Sequence, residues 1–207
     1  MDTVLFGGNG VTGVVAMLID CLNLRGLVNE SKKSNAGHFN ITRPVVFVGP
    51  HEHHSNLLPW RESGCEVIAI SERSSDGMVN LDELERYLRL PQYGTSSGRL
   101  RMGAFSAVSN VTGIIADVDA IAILLHKYGA LAFFDYASGA PYVKMNMNPN
   151  PVGYQSMGNS EDGGVVAVDP SKDAIYFSPH KCYGGTSTPG VLVIKKHVSD
   201  IFRFYSM

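Results

Sequence analysis

Short apolar runs alternate along this chain with segments of helical periodicity, and this alternation constrains the fold more than any other feature. The runs lie at residues 3–6, 45–48, 66–70, 102–108, 131–134, 174–177 and 191–194. Several are nearly continuous in hydrophobicity, as expected for strands that helices cover on both faces. Helical spacing of apolar residues lies between some of these runs, at 11–22, 81–90 and 118–128. The pattern predicts an α/β fold with a seven-stranded, mostly parallel, doubly wound sheet.

The size and composition are those of an ordinary globular protein. The chain has 207 residues, of which 44% are hydrophobic and 17% charged, and its net charge is −2. Because nucleic acids and anionic membranes select strongly basic surfaces, this charge predicts neither partner. The sequence shows no apolar run of about 18 residues, no secretory signal, and only three widely spaced cysteines. We therefore expect a cytoplasmic protein with reduced thiols.

Two polar segments interrupt the alternation. The first helical segment is expected to stop at Arg25-Gly26, and the unpatterned residues 29–40 that follow are expected to form an exposed loop. Residues 145–172 are rich in Asn, Pro, Gly and Ser and lack a convincing period. This stretch is too long for a plain connection, so we expect a surface excursion or partial disorder.

The segment GGNGVTG at residues 7–13 lies between a predicted strand and a predicted helix. Such a turn offers free backbone N–H groups and the positive end of a helix, which together suit an anion such as phosphate. Gly8, Gly10 and Gly13 also match the G-x-G-x-x-G fingerprint of dinucleotide sites. That fingerprint requires an acidic residue closing the second strand, and Glu52 follows only after a proline turn. A purely structural glycine turn is the third interpretation.

A histidine cluster, HEHH at residues 51–54, follows the second predicted strand. With His180 or Cys182 it could complete a metal shell. On an extended strand, however, His51 and His53 point to one side and His54 to the other, so three imidazoles do not converge automatically. The other interpretations are a solvated polar turn and an imidazole placed flat against a planar ring.

Two ionisable residues stand just past the ends of later apolar runs. Asp135 follows the fifth run and Lys181 follows the sixth. In an open α/β sheet, ligands bind at the carboxyl ends of the strands, so both side chains are expected on the same rim as the glycine segment.

Four segments in this order resemble the class V aminotransferase family of pyridoxal-phosphate (PLP) enzymes, in particular the cysteine desulfurases and selenocysteine lyases. They are EHHSNLLPW at 52–60, SNVTG at 109–113, DYA at 135–137 and SPHK at 178–181. The resemblance implies a fold-type-I PLP domain whose last strand is antiparallel.

The resemblance also implies roles for individual residues. Lys181 matches the lysine that holds PLP as a Schiff base and later moves the substrate proton. Asp135 matches the carboxylate that pairs with the ring nitrogen, and His53 the imidazole that stacks on the ring. Asn110 matches the amide near the phenolic oxygen. Ser138 stands where the family commonly has glutamine or histidine, so this contact is expected to be weaker.

The phosphate cradle is implied in the same way. Thr12, with backbone N–H groups near Gly10 and Val11, matches the helix start that binds the phosphate. Ser178 and His180 match further contacts on the phosphate side. Val11 replaces a second hydroxyl residue that family members commonly carry, which predicts weaker phosphate binding.

Length is the largest departure from the family. The resemblance implies that residues 1–207 are the PLP-binding large domain of a homodimeric enzyme, without the N-terminal segment and the C-terminal small domain. The small domain supplies the arginine for the substrate carboxylate and, in desulfurases, a loop with the nucleophilic cysteine. Cys182 does not match that cysteine.

The expected function is PLP-dependent transformation of an amino acid, by transamination or by cleavage of a Cβ–sulfur or Cβ–selenium bond. One alternative is a non-catalytic, truncated PLP-binding isoform or fragment. Another is a dinucleotide-dependent oxidoreductase, which rests on the glycine fingerprint alone.

Overall fold

The computed structural model of the chain describes residues 1–34, 43–155 and 165–198. Nine strands are found in these residues: β1 (Asp2–Asn9), β2 (Val45–Val48), β3 (Glu66–Ala69), β4 (Arg101–Ser106), β5 (Leu131–Asp135), β6 (Val152–Gln155), β7 (Val165–Val168), β8 (Ala174–Phe177) and β9 (Pro189–Lys195). The helices that concern the site are α1 (Gly10–Cys21), α2 (Leu24–Ser34), α3 (His54–Glu62), α4 (Leu81–Arg89) and α5 (Val118–Lys127).

Seven strands form the main sheet in the order β1-β9-β8-β5-β4-β2-β3. The pairs from β8 to β3 are all parallel, whereas β9 is antiparallel to both β8 and β1. The prediction of a seven-stranded, mostly parallel sheet with an antiparallel last strand is confirmed. Because β1 runs parallel to β8, the end of β1 and the beginning of α1, which share the glycine segment, lie at the same edge as the ends of β2, β4, β5 and β8.

The sheet has a hydrophobic core on each face. On one face α1 packs through apolar residues that are fully buried, among them Val14, Val15, Leu18 and Ile19. On the other face α4 and α5 pack through Leu84, Leu88, Ile121 and Leu125. Strands buried on both sides have continuous apolar runs for this reason.

Side chains cap the beginnings of α4 and α5. Asn80 accepts a hydrogen bond from the Glu83 N–H at 3.0 Å, and Asp117 accepts one from the Ala120 N–H at 3.0 Å. Gly129 follows α5 with a φ of +66°, a conformation that favours glycine at the end of a helix.

The prediction for the end of the first helix is wrong. Helix α1 ends at Cys21, and α2 begins at Leu24 after Asn23, whose φ is +48°. Gly26 therefore lies inside a helix, where an added Cβ would come within 2.4 Å of the Asn23 Oδ1 atom. The predicted loop at 29–40 is helical as far as residue 34, because Leu27 and Val28 are buried; residues 35–40 lie outside the described residues.

Helix α3 and strands β6 and β7 were not predicted either. Helix α3 contains Pro59, which lacks a backbone donor, and Asn56 and Trp60 are its buried residues, so helical periodicity is weak. In the polar stretch at 145–172, β6 and β7 pair as an antiparallel ladder, and residues 156–164 are not described. No helix among the described residues is long and apolar enough to cross a membrane.

Candidate functional site

The turn between β1 and α1 lies in direct contact with the turn that follows β8. The Val11 N–H donates a buried hydrogen bond to Ser178 Oγ at 2.9 Å. Gly10 has a φ of +59°, and a Cβ added there would come within 2.6 Å of Ser178 Oγ and 2.5 Å of His180 Cε1. Only glycine fits this approach. The structure thus brings together Gly10, Val11, Ser178 and His180, four of the residues expected near the phosphate.

The beginning of α1 has the features of an anion site. No acidic residue lies in its first turn, and the side chain of Asn9 does not cap it. Its positive end is therefore not neutralised by the helix itself. The hydroxyl of Thr12 donates to Ser55 Oγ at 2.8 Å, which joins α1 to α3. A phosphate fits this cradle of helix N-terminus and hydroxyl groups.

His53 stands at the beginning of α3 on the same rim. Its Nδ1 atom accepts a hydrogen bond from the Ser55 N–H at 3.2 Å, which orients the ring, and the residue itself is exposed. Partial burial, and then the positive charges of Lys181 and His54, lower the pKa of the imidazole. A ring held in this way can lie against a planar ligand.

Asp135 is the last residue of β5 and is only 4% exposed. Its Oδ1 atom accepts a hydrogen bond from the Ala137 N–H at 2.7 Å. Burial raises the pKa of the carboxyl to about 7; the charge of Glu52 adds to this rise, while the Ala137 hydrogen bond and the charge of Lys181 oppose it. A buried carboxylate in this position is stabilised by a cationic partner, which a protonated ring nitrogen would be.

Lys181 ends the short 3₁₀ turn Pro179–Lys181, immediately after Ser178. Its backbone N–H donates to the Ser178 carbonyl at 3.0 Å, and its side chain is exposed. The positive charge of the lysine acts on both Asp135 and His53. The three residues with predicted catalytic roles are therefore electrostatic neighbours at one edge of the sheet.

Asn110 and Ser138 line one open cavity of about 400 Å³, together with Tyr142. Asn110 is exposed and Ser138 is half-buried, so both polar side chains are accessible to a ligand. Because Asn110 and Ser138 line the same cavity, their positions are compatible with the predicted contacts of both side chains to the phenolic oxygen of PLP.

The metal interpretation of the histidine cluster finds no support in the described residues. His51 Nε2 lies 2.6 Å from the Gly77 carbonyl, whereas His53 is engaged with Ser55. Within the described part of the chain, no group of three or more His, Cys, Asp or Glu side chains could hold a metal ion.

A buried polar network behind the rim was not predicted from sequence. Glu52 bonds to Asn56 and Ser106, and Asn56 in turn accepts hydrogen bonds from Trp60 Nε1 at 3.3 Å and from the Tyr176 hydroxyl at 2.6 Å. The spacing of Asn56 and Trp60 by four residues was the one local signal, because it places these two side chains on one side of α3; Glu52 lies before that helix begins. Glu52 is thus occupied within the protein, which leaves the dinucleotide interpretation without a ribose partner.

Comparison with known proteins identifies relatives. The family model described as "Aminotransferase class-V" matches residues 35–152. A probable cysteine desulfurase of Halalkalibacterium halodurans is 29% identical over 154 residues, covering 73% of this chain and 31% of the relative. One from Aeropyrum pernix is 33% identical over 158 residues, covering 75% and 31%. The chain spans about a third of the length of these curated relatives.

Solved structures give the same result at the level of the fold. A cysteine desulfurase from Escherichia coli has a TM-score of 0.64 at 22% identity, covering 96% of this chain and 40% of its own. The apo cysteine desulfurase of Thermococcus onnurineus has a TM-score of 0.58 at 24% identity, covering 94% and 38%. The chain therefore shares its fold with about two fifths of each of these proteins.

Proposed function

Because the chain belongs to the class V aminotransferase family, we propose that residues 1–207 form the PLP-binding large domain of an enzyme that transforms an amino acid. One observation carries the proposal. A buried carboxyl at Asp135, an oriented imidazole at His53 and the amine of Lys181 share one sheet edge with a glycine-lined anion cradle.

The residues of this edge divide between holding the cofactor and moving protons. PLP, when bound, supplies an aromatic ring that withdraws electrons from the substrate α-carbon. Lys181 would hold the cofactor covalently through its amine and would carry the proton that leaves or reaches the α-carbon. Its position on an exposed turn gives the amine access to a substrate.

Asp135 would accept a hydrogen bond from the ring nitrogen and keep a proton there. The burial of the carboxyl strengthens this pairing, since little water competes for the charge. His53 would lie against the ring, oriented by the hydrogen bond from the Ser55 N–H. Asn110 and Ser138 would face the phenolic oxygen from their shared cavity.

The phosphate would bind at the beginning of α1. Gly10 allows the close approach, and the backbone of Val11 and the hydroxyls of Thr12 and Ser178 form the cradle, with His180 beside it. These contacts would hold a dianion through backbone N–H and hydroxyl groups, with no buried lysine or arginine among them.

The substrate is an amino acid, and the names of the relatives favour cysteine, which would lose its sulfur by Cβ–sulfur cleavage. Transamination uses the same residues and is the second candidate. The resemblance supports a homodimer, and the three free cysteines, Cys21, Cys65 and Cys182, suit the reducing cytoplasm.

A spectroscopic titration tests the proposed function. The chain incubated with PLP should develop the visible absorbance of a lysine-bound cofactor, and the Lys181→Arg variant should not. Lys144→Arg, which changes an exposed lysine with no predicted role in the site, is the matched control and should behave like the wild type. Equal colour in the Lys181→Arg and Lys144→Arg variants would contradict the assignment of Lys181.

A further inference from the structure

Glu52 lies in the turn between β2 and α3, and its carboxylate is surrounded by hydrogen-bond donors. Oε1 accepts from the Gly49 N–H at 3.2 Å and from the Ser106 N–H at 2.8 Å. Oε2 accepts from Asn56 Nδ2 at 2.5 Å and from Ser106 Oγ at 2.8 Å. Three of these four groups can only donate, so the arrangement suits an ionised carboxylate in a fixed position. Burial raises the pKa of Glu52, and the four hydrogen bonds oppose the rise.

This one carboxylate connects the elements that carry the site. Gly49 follows β2, Asn56 belongs to α3, and Ser106 ends β4. Through Asn56, whose side chain is fully buried, the connection reaches the Tyr176 hydroxyl on β8. His53 stands next to Glu52 in the chain, so the same contacts fix the turn that presents the imidazole.

Asp135 lies between two members of this network in the sheet. Its register partner on β4 is Ser106, and its partner on β8 is Tyr176. The titratable and charged groups that face it from the neighbouring elements are Glu52, Tyr176 and Lys181. Since Asp135 is buried and Glu52 is half-buried, a charge on one favours a proton on the other.

We propose that Glu52 is a positioning residue, whose fixed negative charge retains one proton on the Asp135 carboxyl or, when another group is hydrogen-bonded to that carboxyl, within the pair that the two form. This inference rests on the proposed function for the identity of that group, which would be the ring nitrogen of PLP. A retained proton is the state in which the ring withdraws electrons, so Glu52 supports the chemistry without contact with the cofactor.

The test is a carboxyl-carbon NMR titration of the cofactor-free chain. Glu52→Gln keeps the size of the side chain and removes its charge, and the titration midpoint of Asp135 should fall by about one pH unit. Ser106→Ala removes one hydrogen bond and keeps the charge of Glu52. This control should lower the melting temperature while leaving the Asp135 midpoint close to that of the wild type. Glu52→Asp retains a charge, so it should bring the titration midpoint of Asp135 most of the way back to the wild-type value.

Two results would overturn the inference. One is an unchanged Asp135 midpoint in folded Glu52→Gln. The other needs no variant: a wild-type titration in which Glu52 itself is still protonated when Asp135 ionises. PLP uptake is measured in parallel. A wild-type chain that takes up no PLP would count against the proposed function, whereas the titration would still decide the role of Glu52.

Discussion

At the scale of single residues, the site depends on a carboxyl that is unfavourable to bury alone. Asp135 is the clearest case, because burial raises its pKa from 3.8 to about 7. The ionised form is destabilised in the folded chain relative to the unfolded chain. The contribution of this group to stability is therefore fully present below about pH 4 and is lost as the pH rises through 7.

Asp135→Asn is expected to remove this pH dependence in the cofactor-free chain. Relative to the wild type, the variant should gain unfolding free energy between pH 4 and 7, by an amount on the order of 4 kcal/mol at most. Denaturant unfolding at several pH values measures the difference. When both proteins are saturated with PLP, the wild type should become the more stable of the two, because its carboxylate then has a cationic partner. If the difference in unfolding free energy between the wild type and Asp135→Asn stays constant with pH, the raised pKa of Asp135 is contradicted.

The residues of the site differ in how far the sequence could reveal them. Asp135 and Lys181 each follow an apolar run, so the rule that ligands bind at the carboxyl ends of parallel strands brings them together. The network of Glu52, Asn56 and Tyr176 could not be found in this way. Asn56 and Tyr176 are 120 positions apart in the chain, and each taken alone is an ordinary polar residue.

At the scale of elements, the strands were predictable because burial on both faces leaves a continuous apolar run. The helices were less so. Helix α2 buries Leu24, Leu27 and Val28 at helical spacing but continues into a polar second half, so its apolar pattern is short, and α3 includes a proline. The site is assembled where the beginnings of α1 and α3 meet the strand ends, above all at the contact between the start of α1 and the turn after β8.

Gly10→Ala tests that contact. An alanine would combine a positive φ with a Cβ too close to Ser178 and His180, so we expect a lower melting temperature and at least about tenfold weaker PLP binding. Gly98→Ala is the matched control: Gly98 has a φ of +65°, and a Cβ there would meet nothing within 4 Å. Gly98→Ala should lower the melting temperature through the same backbone strain and should keep its affinity for PLP. Equal loss of affinity in both variants would contradict a specific phosphate cradle.

At the scale of the whole molecule, several large apolar side chains are exposed. They are Val4, Phe6, Val111, Ile115, Tyr142 and Tyr183, whose exposed fractions range from 51% to 108%. Val4 and Phe6 belong to the edge strand β1, while Ile115 and Tyr142 line the cavity of Asn110 and Ser138. Exposed apolar surface of this kind favours association between chains.

We therefore expect the chain of 207 residues to self-associate. Sedimentation velocity at micromolar concentrations should show dimers or larger species, and Val111→Ser together with Ile115→Ser should shift the distribution toward monomer.

Turnover of cysteine should be slow beside a full-length relative, since the chain spans about a third of such proteins. A monodisperse monomer that turns over cysteine at the rate of a full-length relative would contradict both expectations.

The covalent attachment of PLP to Lys181 is the central claim, and reduction with borohydride tests it most directly. After incubation with PLP and reduction, digestion and mass spectrometry should place a pyridoxyl group on the peptide that contains Lys181, at close to one equivalent per chain. The peptides that contain Lys144 and Lys196 serve as internal controls for nonspecific labelling and should carry little. An adduct spread evenly over these lysines, or none on Lys181, would contradict the account.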